Sequence, residues 1–340
     1  MSRLIQTRSE LTESNQLHTM ADTPDSRLLI MDYPEHWGMF YINNNRLTIA
    51  KALKKDTLTD TIVVARVDNI KKELGAAFVK LDDNTIAFLK LSNVPERYMP
   101  IHQGSLIPVR LMSDEQKGKR ISVTAIISEK KLPQGWQYKS AYTVLYKPDN
   151  SLGSYIKKTF HHIPVSKILT ENETIYNELK NTFDNIELYS DSKLSLSKLY
   201  SLKTKINEAS DSKVYLKCGG YLIINHTEAL TVIDVNSGKN VASKKADRED
   251  NILSINIEAA KEVALQMKLR NITGMILIDF INMSEEEHNN ELINAMNDAV
   301  ATDYVTVKVI DITPLGIMEI TRQKIDKPLN EYISIFKQGG

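Results

Sequence analysis

An acid closing an apolar run is the first pattern in this 340-residue chain that could do chemistry. In Ala229-Leu-Thr-Val-Ile-Asp-Val-Asn-Ser-Gly238, apolar and β-branched residues predict a buried strand that runs into Asp234. A carboxylate at the end of such a run needs a cation or hydrogen-bond donors to receive it. Asn236, two positions on, points the same way along an extended chain and adds a neutral oxygen or an amide donor. Gly238 permits a sharp turn. The pattern recurs in Gly274-Met-Ile-Leu-Ile-Asp-Phe-Ile-Asn-Met283, where Asp279 closes the run.

The segment between the two runs must position these acids. Ala260, Val263, Ala264 and Met267 fall at i, i+3, i+4 and i+7, which predicts a helix over 252–270 with one buried face. Strand, helix, strand is a crossover unit, and its strands lie parallel when they share a sheet. Both acids then reach the same carboxyl edge, where α/β sheets place ligands. Two carboxylates and an Asn, with no Cys or His close in sequence, favour a hard ion such as Mg²⁺ or Mn²⁺. Taken singly, an acid ending an apolar strand is more often a turn or helix-cap residue than a ligand, and only the matching pair brings the two readings level. The residues alone leave chemistry and structure both open.

The run Gly219-Gly220-Tyr-Leu-Ile-Ile-Asn-His-Thr-Glu-Ala-Leu-Thr-Val-Ile-Asp-Val-Asn-Ser-Gly238 resembles the catalytic region of the ribonuclease E/G family of endoribonucleases. So do Asn256-Ile-Glu-Ala-Ala260, Leu269-Arg-Asn271, Ile278-Asp-Phe-Ile-Asn-Met283 and Leu315-Gly-Ile-Met-Glu-Ile-Thr-Arg322. These motifs keep the family's order and approximate spacing, and a weaker resemblance covers the chain from Arg27 onward. The resemblance implies a multidomain α+β and α/β architecture. An S1-type OB-fold barrel at 57–129 is inserted into an RNase H-like subdomain, 27–56 with 147–211. A short linker at 130–146 leads on, and a DNase I-like catalytic domain follows at 212–340. Residues 1–26 are polar and aperiodic, the pattern of a flexible extension.

Bulk properties narrow the partners. The 43 basic and 43 acidic residues cancel, so no global field advertises nucleic acid and RNA must be met by local patches. The single cysteine, Cys218, excludes internal disulfides and a Cys-x-x-Cys zinc site within one chain. No apolar run approaches the ~18 residues of a membrane span, and the first residues lack the apolar core of a secretory leader. A cytoplasmic protein without a membrane partner is the expectation.

Thr61–Val67, Ala76–Leu81, Thr85–Leu89, Leu106–Met112 and Ile121–Ile127 read as five strands of a small barrel. From the residues alone Phe78 and Phe88 read as core residues; by resemblance they are the barrel's exposed aromatics, able to stack on bases, and Lys119, with Lys117 and Arg120, is placed to grip phosphates. Upstream, Asn43-Asn-Asn-Arg46 predicts a hairpin turn. Downstream, 151–160, 173–183 and 196–209 read as helices and 186–189 as a short strand. Ser284-Glu-Glu-Glu287 has the form of a capping box opening a helix to about Ala301. Val305, Val307 and Val309 alternate as a half-buried strand, and 316–320 reads as another.

The chain departs from the family in four places. The long insertion that forms a pocket for the RNA 5′-monophosphate is reduced to a short linker, and the Arg-Thr dipeptide at its heart is absent. Thr306 stands where the family adds an arginine to that pocket. Asn282 replaces a third acid of the second motif. The sequence closes at Gln338-Gly-Gly340 without the Cys-Pro-x-Cys motif that shares zinc between subunits, so no zinc is expected and any homo-oligomer would not be zinc-linked. The resemblance implies a Mg²⁺-dependent endoribonuclease acting on single-stranded RNA in processing or decay. Asp234 and Asp279 would be the metal ligands, Asn236 would orient Asp234 or the scissile phosphate, and 5′-monophosphate sensing would be lost. The alternative is a non-catalytic RNA-binding protein on the same scaffold.

Overall fold

The computed structural model describes residues 25–113, 120–238 and 245–337. It is a multidomain α+β chain that divides into two compact units, Lys54–Ser154 and the residues flanking that segment in sequence.

The flanking unit opens with three antiparallel strands, β1 (Ser26–Asp32), β2 (His36–Asn43) and β3 (Arg46–Lys54). Asn44 and Asn45 turn β2 into β3, as expected, and both have positive φ, a region asparagine tolerates better than most residues.

Within Lys54–Ser154 the five expected barrel strands are β4 (Ile62–Lys71), β5 (Ala76–Lys80), β6 (Ile86–Lys90), β7 (Leu106–Leu111) and β8 (Ser122–Thr124). Their order β5-β6-β8-β7-β4 closes through a β4–β5 pairing, and β6 runs parallel to β8. This is a closed OB-like barrel. Alternation along the strands sends Ala77, Val79, Ala87 and Leu89 into its core with Val109 and Val123. The following segment does not leave the barrel at once. Val144–Tyr146 forms β9, an extra strand paired with β4.

The chain then re-enters the first unit. Helix α1 (Leu152–Thr159) leads to β10 (Lys167–Thr170), α2 (Glu173–Leu179) and β11 (Ile186–Leu188), completing a sheet of order β11-β10-β1-β2-β3. The helix expected over 196–209 is two pieces, α3 (Leu196–Leu199) and α4 (Leu202–Glu208). Ser201 is left-handed between them (φ 51°), which interrupts the helix and lets Leu196, Tyr200 and Leu202 all reach one core.

Six further strands form the second sheet of this unit: β12 (Lys213–Tyr215), β13 (Tyr221–His226), β14 (Leu230–Asn236), β15 (Gly274–Asp279), β16 (Val307–Ile312) and β17 (Ile317–Arg322). Their order is β12-β13-β14-β15-β17-β16, and the expected parallel crossover is the β14–β15 pair, joined by α5 (Lys245–Arg270). Ala260, Val263, Ala264 and Met267 of α5 are all buried against the sheet. Each large apolar side chain hidden there contributes roughly 1.5–3 kcal/mol. Helix α6 (Glu286–Val300) adds Leu292, Met296 and Val300 to the same core. The opposite face of this sheet is open, with Tyr215, Val232, Met275 and Ile310 exposed. The C-terminal helix α7 (Leu329–Phe336), which the periodicity did not reveal, packs Tyr332 and Phe336 against Tyr33 and Phe40 of the five-stranded sheet's core.

The capping box is corrected. Helix α6 starts at Glu286 with Glu285 as its cap residue, and no side chain bonds there. Ser284 is engaged elsewhere, donating its amide and hydroxyl to Glu249 of α5.

Candidate active site and RNA interface

Strands β14 and β15 place Asp234 and Asp279 as direct register partners at the carboxyl edge of the parallel pair. Residues opposite one another on adjacent strands project from the same face, so the two carboxylates stand side by side on the open face. Asn236 lies on that face too, and its Nδ2 donates to Asp234 Oδ2 at 2.8 Å. The three residues singled out in the sequence are thus one constellation. The strand carrying Asp234 differs from the expectation in one respect. It is buried on one side only, with Thr231, Ile233 and Val235 inward and Val232 and Asp234 exposed. No cation pairs with either acid among the described residues.

Backbone contact fixes Asn236. A Cβ on Gly220 would stand 2.6 Å from the Asn236 carbonyl oxygen, and one on Gly238 would stand 2.3 Å from that of Gly219. Gly238 also has φ +66°, so both its shape and its conformation require glycine. Three side chains of α5 hold the loops around the acids. Glu258 accepts from the Lys217 and Cys218 amides, at 2.5 and 3.2 Å. Asn256 forms a two-way clamp with Ile281, donating to its carbonyl at 2.8 Å and accepting from its amide at 3.1 Å. Glu249 receives Ser284 at 2.6 Å. Periodicity carried a usable signal for the clamp: Asn256 is a polar residue in the same stripe as Ala259, Ala260 and Val263, where only a bonded polar group is stable.

Asn282, which stands in place of an acid, is not part of the carboxylate pair's hydrogen bond. Its Oδ1 lies over Gly316, 2.8 Å from where a Cβ would be. Glu285, Glu286 and Glu287 are exposed and form no cluster with the pair. Among the described residues no three His, Cys, Asp or Glu converge on a potential metal position. Burial, together with the neighbouring Glu258, pushes the Cys218 thiol up, so it is a poor candidate nucleophile.

On the barrel, Phe78 and Phe88 are register partners on the outer side of β5 and β6, half-exposed, with ring centroids 6.1 Å apart at 68°. Their neighbours in sequence fill the core, so these two rings are not core residues. The Arg120 guanidinium carbon lies 5.2 Å from the Phe78 centroid, a cation–π arrangement. Lys119 and Lys117 lie outside the described residues. Thr306 is exposed, and its carbonyl accepts from the Gln323 amide.

The model of the Ribonuclease E/G family matches residues 113–325, spanning the paired acids and every clamp around them. The chain belongs to the Ribonuclease E/G family. It is 41% identical over 126 residues to Ribonuclease G of Salmonella typhimurium strain SL1344, covering 37% of this chain and 25% of that protein. Identity with Ribonuclease G of Haemophilus influenzae is 34% over 191 residues, 54% of this chain and 38% of the relative. Ribonuclease E of Synechocystis is 42% identical over 138 residues, 41% of this chain and 20% of its own length. The chain therefore spans about a quarter to two fifths of the Ribonuclease G relatives' length. Among the described residues no helix is long and apolar enough to cross a membrane.

Proposed function

We propose that this chain is a divalent-metal-dependent endoribonuclease that cleaves single-stranded RNA at the Asp234–Asp279 edge. The carrying observation is the register pairing of the two acids on an open face. The donor set fits magnesium, with manganese as a substitute. Mg²⁺ keeps several waters and is commonly held by one or two carboxylates together with substrate phosphate oxygens. Asp234 and Asp279 are the residues that would hold it. When bound, the ion supplies a lowered pKa for an attacking water and charge stabilisation at the phosphodiester. Asn236 holds Asp234 Oδ2 through its amide, which fixes the carboxylate's rotation and leaves Oδ1 free to bind. The glycine contacts and the Asn256 clamp keep the two strand ends in register during turnover.

The barrel supplies the second surface. Strands β5 and β6 occupy the positions that bind oligonucleotides in OB folds, and Phe78 and Phe88 sit there with Arg120. We assign stacking on unpaired bases to this pair and phosphate contact to Arg120 and Lys119. The mixed sheet β11-β10-β1-β2-β3 supports an RNase H-like reading of its subdomain, and the six-stranded sheet under α5 and α6 is read as the DNase I-like catalytic part. The missing Arg-Thr dipeptide and Thr306 support entry without 5′-monophosphate sensing.

The test is cleavage of a labelled single-stranded RNA bearing 5′-monophosphate or 5′-hydroxyl, with Mg²⁺ or EDTA. Asp234→Asn and Asp279→Asn should each lower the rate at least ~100-fold, equivalent to about 2.7 kcal/mol, at equal rates for both 5′ ends in the wild type. Phe78→Ala and Phe88→Ala should instead weaken RNA binding by ~1–3 kcal/mol each with the cleavage step intact. Binding without cutting, unchanged by either Asp substitution, would leave the non-catalytic scaffold as the correct reading.

A further inference from the structure

At the opposite end of β14 and β15 from the acids lies a cavity of about 370 Å³. Its lining includes Arg270, His226, Ser212, Thr273 and Asn330. Leu230 and Thr231 open β14 there, and Thr273 immediately precedes β15. Four residue steps along the strand take Leu230 to Asp234, roughly 13 Å, so this is a different place from the acid pair.

Arg270 is a buried cation whose hydrogen-bond partners are incomplete. It is only 6% exposed, and its Nη2 is buried with no hydrogen-bond partner among the described residues. The two donors it uses go to neutral oxygens, Nε to Gln266 Oε1 and Nη1 to the Asp211 backbone carbonyl, both at 2.6 Å. The Asp211 and Glu262 carboxylates act on it through space, but neither is hydrogen-bonded to it. Gln266 connects to Glu262 at 2.8 Å, but both oxygens of Glu262 are already taken by Arg46, each at 2.8 Å. A buried guanidinium with an unused donor and no carboxylate bonded to it is costly unless an anion completes it. Its charge is felt at the cavity lining: desolvation, then Arg270, holds the His226 imidazole below its ordinary value. A fold with no use for that charge would pack better with an apolar residue here.

We propose that this cavity is a phosphate-binding site in which the Arg270 guanidinium receives the oxyanion. The Ser212 and Thr273 hydroxyls and the Asn330 amide supply further neutral donors. A tetrahedral phosphate takes several donors at once, and arginine presents its N–H groups in a geometry suited to that ion. The cavity exceeds the needs of one phosphate and leaves room for an attached sugar. The same chemistry could come from a free phosphate or mononucleotide, or from a phosphate of an RNA chain. Glu228 also lines the cavity, but it is exposed and able to turn into water.

The proposal stands apart from RNA cleavage, because the test measures binding in EDTA. Inorganic phosphate, adenosine 5′-monophosphate and a short RNA with 5′-phosphate or 5′-hydroxyl are titrated calorimetrically into the full chain. Saturable binding of inorganic phosphate, weakened at least ~10-fold by Thr273→Glu or Asn330→Asp, is the expected result. Arg270→Met should abolish it. If that variant fails to fold, the two lining variants decide, since both positions lie at or near the surface. Phosphate that displaces RNA identifies the RNA chain as the source. Phosphate or mononucleotide that binds without displacing RNA identifies the free anion. The proposal is overturned if no phosphate-bearing probe binds, or if all binding is indifferent to the lining variants.

Discussion

Asp303 and the Asp234–Asp279 pair are acids of the same sheet unit in opposite surroundings. The Asp303 side chain is 1% exposed and its two oxygens receive Nε and Nη2 of Arg322 at 2.9 and 3.1 Å, while Arg322 Nη1 donates to Asn271 at 2.7 Å. Asp234 and Asp279 are exposed, one strand apart, with a single amide donor between them and no cation among the described residues. The difference separates two reasons for keeping an acid. A buried carboxylate must be neutralised by the fold itself, or it destabilises the fold. Two adjacent exposed carboxylates stay hydrated, repel one another weakly, and remain free to bind a cation from solution.

The largest effect should come from breaking the buried pair. Arg322→Met strands Asp303 without its cation and should cost ~3–5 kcal/mol in urea unfolding. The double substitution Arg322→Met/Asp303→Asn should recover part of that loss, because no uncompensated charge remains. Removing the exposed pair should do the reverse. Asp234→Asn/Asp279→Asn should leave stability within ~0.5 kcal/mol of wild type, or raise it slightly by relieving repulsion, while activity is lost. A large stability loss in the second variant, or none in the first, would break the distinction between the two kinds of acid.

The paired acids were legible because strand periodicity and strand-end position are local properties of the sequence. Apolar runs ending in Asp234 and Asp279, joined by the stripe Ala260, Val263, Ala264, Met267, suffice to imply a parallel crossover. The shared carboxyl edge followed from that crossover, whereas the direct register pairing of Asp234 with Asp279 is visible only in the sheet. The five barrel strands were legible in the same way, from short apolar runs between turn residues, but the outward placement of Phe78 and Phe88 came from the family resemblance and not from the runs themselves. What stayed hidden depends on distant partners. Nothing local distinguishes Asp303 from a turn residue until Arg322 arrives across the sheet. Ser284-Glu-Glu-Glu287 satisfied the local rule for a capping box, yet Glu249, 35 residues earlier in the chain, competed successfully for Ser284. The break at Ser201 and the docking of α7 on the five-stranded sheet are likewise decided by a shared core, which no single window of sequence contains.

Glu249 lies between the two extremes and gives the smallest, most selective test. It is a surface acid, yet it has a structural task in tethering the loop after Asp279. The Ser284 amide bond, more than any other neighbour, holds its carboxyl below the ordinary value of 4.5. Because the folded-state value is depressed, the tether's contribution is complete above the unfolded-state value and disappears as pH falls through the folded one. Protection of the Ser284 amide from hydrogen exchange should therefore be highest near neutrality and decline in acid, below the usual glutamate range. In Glu249→Gln the amide oxygen still accepts from Ser284, but as a neutral group it makes a weaker bond. Protection should be modestly lower at neutral pH and should not follow a carboxyl titration. The Asn256 clamp on Ile281 contains no titratable group, so the Ile281 amide is the internal control and should keep its protection in both proteins. Identical pH profiles at Ser284 in the two proteins would mean that the loop is held by Asn256 alone, and that Glu249 belongs with the exposed acids.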